Sequence, residues 1–349
     1  MKLHNFDFSK KIFFHPENIV KYREGKRPFP VTIEIDLTNR CNHRCSFCYN
    51  SDFFKRDKSS LDPHVLIERL KEAYELGTKG IGFTGGGEPM MHKDFVEILK
   101  KTRQVGFDVG LITNGSLINE KNIDDLIKNL QWIRISMGGG NKNAYMKIQG
   151  VDHFERVVFN IKLLSKRKKE LNSNLNIGIR ILVTPENINS VLNITNIVKD
   201  LNINYLQLAP DQFTNDGGKF WNSKNTQEIF EESKKILEEK PVYLLTTAYM
   251  WVQNKIDFPS KCYAHFFKIA ITAEGYAIFC QNARENRRYY MGNIYKNSLN
   301  DIWQSEKLKN LEEKVRPNNC GLFCKHMPLN ISIEEILHPD EDMSPNFIG

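Results

Sequence analysis

From residue 30 onward the chain alternates short apolar runs with longer stretches in which apolar side chains return every three or four positions. The short runs are VTIEID (31–36), GIGFTG (80–85), FDVGLIT (107–113), WIRIS (132–136), IGIRILV (177–183), NYLQLA (204–209) and VYLLTT (242–247). Among the helical patterns between them, DPHVLIERLKEAYEL shows the rule: Val65, Leu66, Leu70 and Tyr74 form one stripe, and Asp62 and Pro63 mark its start. Strand–helix alternation repeated this often predicts parallel strands joined by right-handed crossovers. The strands read as apolar through most of their length, which predicts cover on both faces. The expected fold class is α/β, a partial (β/α)6 parallel barrel with function at the carboxyl ends of its strands. A flat doubly wound sheet is the competing architecture.

After about residue 255 the long helices give way to short strand-like pieces such as KIAITAEGYAIFC, and four cysteines fall in this region. The expected division is an N-terminal extension (1–29), a barrel (30–250), a smaller C-terminal domain (255–330) and a tail (331–349). Hydrophobic residues make up 40% of the 349 positions, enough for a sizeable core. The N-terminus lacks the apolar core of a signal peptide, and no run approaches the roughly 18 residues of a membrane span, so the expectation is a cytoplasmic protein with no membrane partner. The net charge is +7, but the lysines are dispersed, and the densest run, SKRKKE, ends a helical pattern where cations belong. Charge alone therefore does not point to nucleic acid.

Three of the seven cysteines, Cys41, Cys45 and Cys48, stand together directly after the first strand. In a cytosolic chain such clustering means metal or catalysis before disulfides. A structural zinc site wants four closed ligands, and His43, inside the tight loop, is poorly placed to be the fourth. A four-iron cluster on three thiolates keeps one iron open for a non-protein ligand. That spacing, C-x₃-C-x-φ-C with Phe47 before the third cysteine, resembles the radical S-adenosylmethionine (radical SAM) enzymes. The resemblance implies a [4Fe–4S] cluster on Cys41, Cys45 and Cys48, with S-adenosyl-L-methionine (SAM) chelating the open iron. GGGEP (Gly85 to Pro89) looks like the family's glycine-rich SAM-binding motif, which brings in Gly86, Gly87 and Glu88. Asn114 in TNG, Ser136 as ribose contact, Arg180 facing the SAM carboxylate and Leu208 beside the adenine complete the implied site. One departure stands out: MGGG (137–140) follows the fourth strand where the family often has an acidic residue, and these glycines read as room for a substrate.

Cys262, Cys280, Cys320 and Cys324 form a second set, for which a four-cysteine zinc site is the alternative reading. The C-x₁₂-G-x₄-C hairpin followed by GNIYKNSLNDIW and a closing cysteine pair resembles the SPASM and twitch domains of radical SAM enzymes. Four cysteines suffice for one auxiliary [4Fe–4S] cluster, the small α+β twitch form. All seven cysteines are then used, and none remains free to donate a hydrogen atom.

The resemblance implies an oxidoreductase-like enzyme. SAM would be cleaved to a 5′-deoxyadenosyl radical by an electron from a flavodoxin- or ferredoxin-type donor, and the auxiliary cluster could accept an electron from the substrate. The short segment before the first strand favours a small polar substrate, such as a sugar, aminocyclitol or nucleotide sugar. Asp211 and Tyr145 are candidate catalytic residues, and Gln149 and His92 candidate substrate contacts, because all fall at predicted strand ends. The alternatives are a maturase acting on a peptide and, more distantly, a zinc module binding nucleic acid. A molybdopterin-pathway cyclase is a further member of the same family, but the glycine-rich tail expected of it is missing. Anaerobically reconstituted protein is expected to carry about eight irons with matching sulfide and no zinc. About four irons with one zinc would remove the electron-accepting cluster, and zinc alone would sink the enzyme reading.

Overall fold

The computed structural model describes residues 9–48, 57–210, 219–246, 259–320, 324 and 326–338. Seven parallel strands follow the alternation in order: β1 (Thr32–Asp36), β2 (Gly80–Thr84), β3 (Asp108–Thr113), β4 (Trp132–Met137), β5 (Asn176–Val183), β6 (Tyr205–Pro210) and β7 (Tyr243–Thr246). Three more come from the C-terminal region: β8 (Lys268–Ile271), β9 (Tyr276–Ile278) and β10 (Tyr290–Asn293). All ten lie in one sheet, ordered β10-β9-β8-β1-β2-β3-β4-β5-β6-β7, an open partial barrel. β8 pairs in parallel with β1, and β8–β9 is a hairpin turned by Gly275, whose φ of +83° suits glycine.

Helices cover one face. There the side chains lie in register as rows of branched residues, Ile33 beside Ile81 and Val109, and Ile135 beside Ile179 and Leu206, all sealed from solvent. The helix Pro63–Glu75 begins where its sequence signals placed it. Asp62 caps it by accepting from the His64 and Val65 amides, and Leu66, Leu70 and Ala73 are buried.

The two faces are covered by different chemistry. Most of the alternate residues, on the concave face, are polar or glycine: Glu34 and Asp36 on β1, Gly82, Gly110, Arg134 and Ser136, then Gly178, Arg180 and Gln207, with Ile112 of β3 an apolar exception. The glycines made the strands look uniformly apolar, but their absent side chains make room for aromatic rings. A Cβ on Gly110 would meet the Trp132 ring at 2.2 Å, and one on Gly178 the Tyr205 ring at 1.9 Å.

At the β1 end of the concave face the charges are closed by the C-terminal region. Lys268 Nζ sits 2.6 Å from Glu34 Oε1, and Arg284 grips Asp36 with Nε at 2.5 Å and Nη2 at 2.9 Å. Glu34, Asp36 and Arg284 are all buried. The Arg284 carbonyl in turn accepts from the Tyr290 hydroxyl, so the guanidinium is held from behind. Arg284→Met should therefore strand the Asp36 carboxylate, while Glu34 keeps Lys268, and lower stability by about 3–5 kcal/mol, read as a shift of the urea midpoint. The double variant Asp36→Leu/Arg284→Met is expected to recover much of that loss; a double variant as unstable as the single one would contradict this account.

Candidate functional site

The loop that follows β1 is laced to its neighbours by backbone bonds. Gly87 N–H donates to the Thr38 carbonyl and Glu88 N–H to the Arg40 carbonyl, each at 2.8 Å. A Cβ on Gly87 would lie 2.0 Å from Arg40 O, so only glycine lets GGGEP approach the cysteine loop this closely. Gly86 N–H donates to the Asp36 carboxylate, tying the same loop to the buried ion cluster.

Glu88 is buried, and its carboxylate is fully used within the protein. Oε1 accepts from Thr113 Oγ1 at 2.7 Å and from Met90 N–H, while Oε2 accepts from Asn114 N–H at 2.7 Å. This clamps GGGEP to TNG at the end of β3, so Glu88 positions the loop. Asn114 reaches into the cysteine loop: its Nδ2 donates to Asn42 Oδ1, and Asn42 Nδ2 donates to Ser116 Oγ. The three motifs, far apart in sequence, thus meet at the carboxyl ends of β1, β2 and β3.

From the other side the loop is braced by the helix Lys142–Gln149. Its last carbonyls, Ile148 O and Gln149 O, accept from Ser46 N–H (2.8 Å) and Arg44 N–H (3.0 Å). Gly150 turns the chain at φ +67°, where a Cβ would strike the Arg44 carbonyl at 2.4 Å. The buried Gln149 side chain bridges three groups: Oε1 accepts from Cys45 Sγ and His43 Nδ1, and Nε2 donates to the Ser136 carbonyl. His43 spends its other ring nitrogen on His153, 3.2 Å away, and burial lowers its pKa to about 4, which keeps the ring neutral. With both nitrogens engaged, His43 is not a spare ligand.

Several expectations are corrected here. Gln149 does not face a substrate; it is a brace for the cysteine loop. Tyr145 is sealed in the core between the His43 and Phe154 rings, and burial raises its pKa, so it cannot act on a substrate as a base. His92 is buried as well, donating to the Leu61 carbonyl and accepting from Asp94 N–H. Leu208 is fully buried in register with Ile181 on the helix-covered side, whereas its neighbour Gln207 carries the concave face. The glycines after β4 make no substrate room: a Cβ on Gly138, Gly139 or Gly140 would strike Gln149, Ala144 or Ser190 O at 2.7, 2.6 and 2.0 Å. They let the bracing helix fold back onto the strand end. Asp211 lies outside the described residues.

Ser136 and Arg180 lie side by side in register, with Gln207 next in the row. Phe47 is half-buried on the loop between Cys45 and Cys48. The three thiols are half-buried too. Burial pushes the Cys41 and Cys45 thiols up, and each feels the charge of its neighbours, so cationic iron would be needed to hold them as thiolates. Among the described residues no three His, Cys, Asp or Glu side chains are gathered tightly enough to hold a single ion. The Tyr145 hydroxyl, buried and without a partner, feels the charge of Cys45. Three half-buried thiols on one short loop, each feeling its neighbours' charge, are the soft donor set that an iron–sulfur group takes, so the residues present fit one.

In the C-terminal region Cys262, Cys280 and Cys324 are half-buried. Asn330, buried on the helix Met327–Leu337, accepts from the Tyr263 and Ala264 amides at 2.8 Å and reaches Cys262 Sγ at 3.8 Å. The Cys320 side chain lies outside the description. The sequence offered no signal for Asn330, Asn42, Gln149 as a brace, or Arg284, because each acts through a partner remote in the chain.

Comparison with known proteins supplies the identity. The model of the radical SAM superfamily matches residues 35–198, and that of the SPASM iron–sulfur cluster-binding domain matches residues 262–325. The chain belongs to the radical SAM superfamily. This radical SAM enzyme accordingly uses SAM and a [4Fe–4S] cluster, with auxiliary iron–sulfur in its SPASM region. It is 24% identical over 302 residues to the tungsten-containing aldehyde ferredoxin oxidoreductase cofactor-modifying protein of Pyrococcus furiosus, covering 78% of this chain and 80% of that one. Over 293 residues it is 24% identical to the PqqA peptide cyclase of Gluconobacter oxydans (81% and 78%), and over 269 residues 25% identical to a GTP 3′,8-cyclase of Clostridium perfringens (71% and 79%). Among solved structures it shares the fold of Streptococcus suis SuiB bound to the precursor peptide SuiA, with TM-score 0.68 and 16% identity over 88% of this chain and 72% of that one. No helix among the described residues is long and apolar enough to cross a membrane.

The close approach at Gly87 gives a direct test of the lacing. Gly87→Ala is expected to cost the apoprotein about 1–3 kcal/mol through the clash with Arg40, and to lower the iron retained per chain after reconstitution. Unchanged melting and iron content would show that the loops have room to separate.

Proposed function

We propose that this radical SAM enzyme is a maturase that modifies a peptide. In this reading Cys41, Cys45 and Cys48 hold the SAM-binding cluster, and Cys262, Cys280, Cys320 and Cys324 hold the auxiliary one. Gly86 and Gly87 offer backbone to SAM, Phe47 flanks the adenine, Ser136 meets the ribose, and Arg180 pairs bidentately with the carboxylate. Glu88 and Asn114 keep the three loops in register. Bound there, the cluster and SAM supply a 5′-deoxyadenosyl radical able to take hydrogen from unactivated carbon. The chain's own residues orient the substrate over the concave face and keep water from it. With Tyr145 sealed away, the base that would take a substrate proton is left to Asp211 or to the substrate itself.

The observation that carries the peptide reading is the open sheet. β7 ends it with no further partner among the described residues, so an extended chain can lie along that edge and reach the concave face. Similarity to the PqqA peptide cyclase points the same way. A small polar substrate is the second reading, supported by the polar side chains of the concave face and by similarity to the GTP 3′,8-cyclase. The test uses reconstituted enzyme, SAM and dithionite with two fractions of the source cell extract, peptides and small metabolites. Faster 5′-deoxyadenosine release with the peptide fraction, with a peptide mass lowered by two hydrogens, is expected. A response confined to the metabolite fraction would overturn the maturase reading.

A further inference from the structure

Charge on the concave face is unevenly matched. On the β1 side, Glu34 and Asp36 are met by Lys268 and Arg284. Across the sheet, Arg134 of β4 forms no ion pair among the described residues, and its Nε is shielded from solvent without an acceptor. A guanidinium is always charged, and leaving one half-buried with an empty donor is costly unless an anion completes it.

The register defines its surroundings. Arg134 lies between Ile112 of β3 and Gly178 of β5, and the Tyr205 ring lies over Gly178. The charges of Arg134 and Arg180 both reach the Tyr205 hydroxyl. Arg134 stands two positions before Ser136 on the strand, so it lies about 6.6 Å deeper in the barrel than the row of Ser136 and Arg180. That depth is below the level proposed for SAM. We propose that Arg134 is a substrate-binding residue that takes a carboxylate of the substrate, the side chain of an acidic residue in the peptide.

A carboxylate suits the site better than a phosphate. With Arg180 engaged by SAM, one planar fork is left, which matches the two oxygens of a carboxylate, whereas a phosphate dianion calls for more than one cation or a set of backbone amides. The flanking Ile112 and the Tyr205 ring give walls for the methylene stem of such a side chain. The assignment rests on the maturase reading for the source of the carboxylate, and on the unmatched guanidinium for its chemistry.

The experiment measures binding without turnover. Full-length reconstituted enzyme with SAM is titrated with a short neutral peptide carrying one central glutamate, with its glutamine counterpart, and with pyrophosphate. The wild type is expected to favour the glutamate peptide over the glutamine one by roughly tenfold to a hundredfold, as a charge-assisted bond would give. Arg134→Gln should abolish that preference while iron content and SAM affinity stay unchanged, and Arg134→Lys should restore part of it. Equal binding of the two peptides, binding of neither, or a preference surviving in Arg134→Gln would overturn the proposal. Tight pyrophosphate with no glutamate preference would replace the carboxylate by a phosphate and overturn it too, as would SAM affinity lost in Arg134→Gln. Because no turnover is involved, a failed peptide reaction alongside an intact glutamate preference would strike the maturase reading and leave Arg134 as a carboxylate site.

Discussion

A single guanidinium indexes the molecule. Arg284 follows Cys280 by four positions and grips Asp36, which precedes Cys41 by five, although the two partners are 248 residues apart in sequence. The same carboxylate takes the Gly86 amide, so three loops are referred to one buried ion cluster. Burying three charged side chains, with Lys268 half-buried beside them, is unfavourable for each alone and tolerable only when all are in place. The spacing between the two cysteine sets is therefore not left to flexible packing; it follows from an arrangement that either forms whole or not at all.

The two faces of the sheet divide stability from chemistry. The helix-covered face is a lattice of isoleucine, valine and leucine in register, and it provides the hydrophobic drive. The concave face gives up that drive for polar groups and glycines. The same glycines also let aromatic rings lie flat on the strands, so the concave side has shaped walls rather than a bare floor.

Much of this was legible in the sequence, for a physical reason. Strand–helix period and the cysteine triplet are local signals, and local signals survive translation into structure. The face of each strand was harder to read: glycine in GIGFTG and IGIRILV counts as apolar in a pattern, yet in the sheet it lies on the concave side, which no helix among the described residues packs against. Side chains near strand ends were harder still. Tyr145 and Gln149 sit at the right height for substrate contact, but their helix folds back over the glycines after β4 and points them inward. Leu208 was expected beside the adenine, yet register with Ile181 puts it behind the sheet. Pairings such as Arg284 with Asp36 leave no local trace, and the small-substrate expectation leaned on the length of one segment rather than on any residue that recognises a ligand.

Pairing β8 against β1 has a consequence for how the protein is made. β1 leaves the ribosome early with one edge exposed, and the strand that covers it is synthesised more than two hundred residues later. At roughly 5–20 residues per second that wait is on the order of ten seconds or more. During it an apolar strand edge stands open to other chains, which is where aggregation begins. Closure of that seam is among the most non-local steps in the fold and hence among the slowest. Iron delivered before the last third of the chain arrives would meet a first cysteine loop still waiting for its anchor, so maturation of this enzyme is tied to the order in which its sheet is completed.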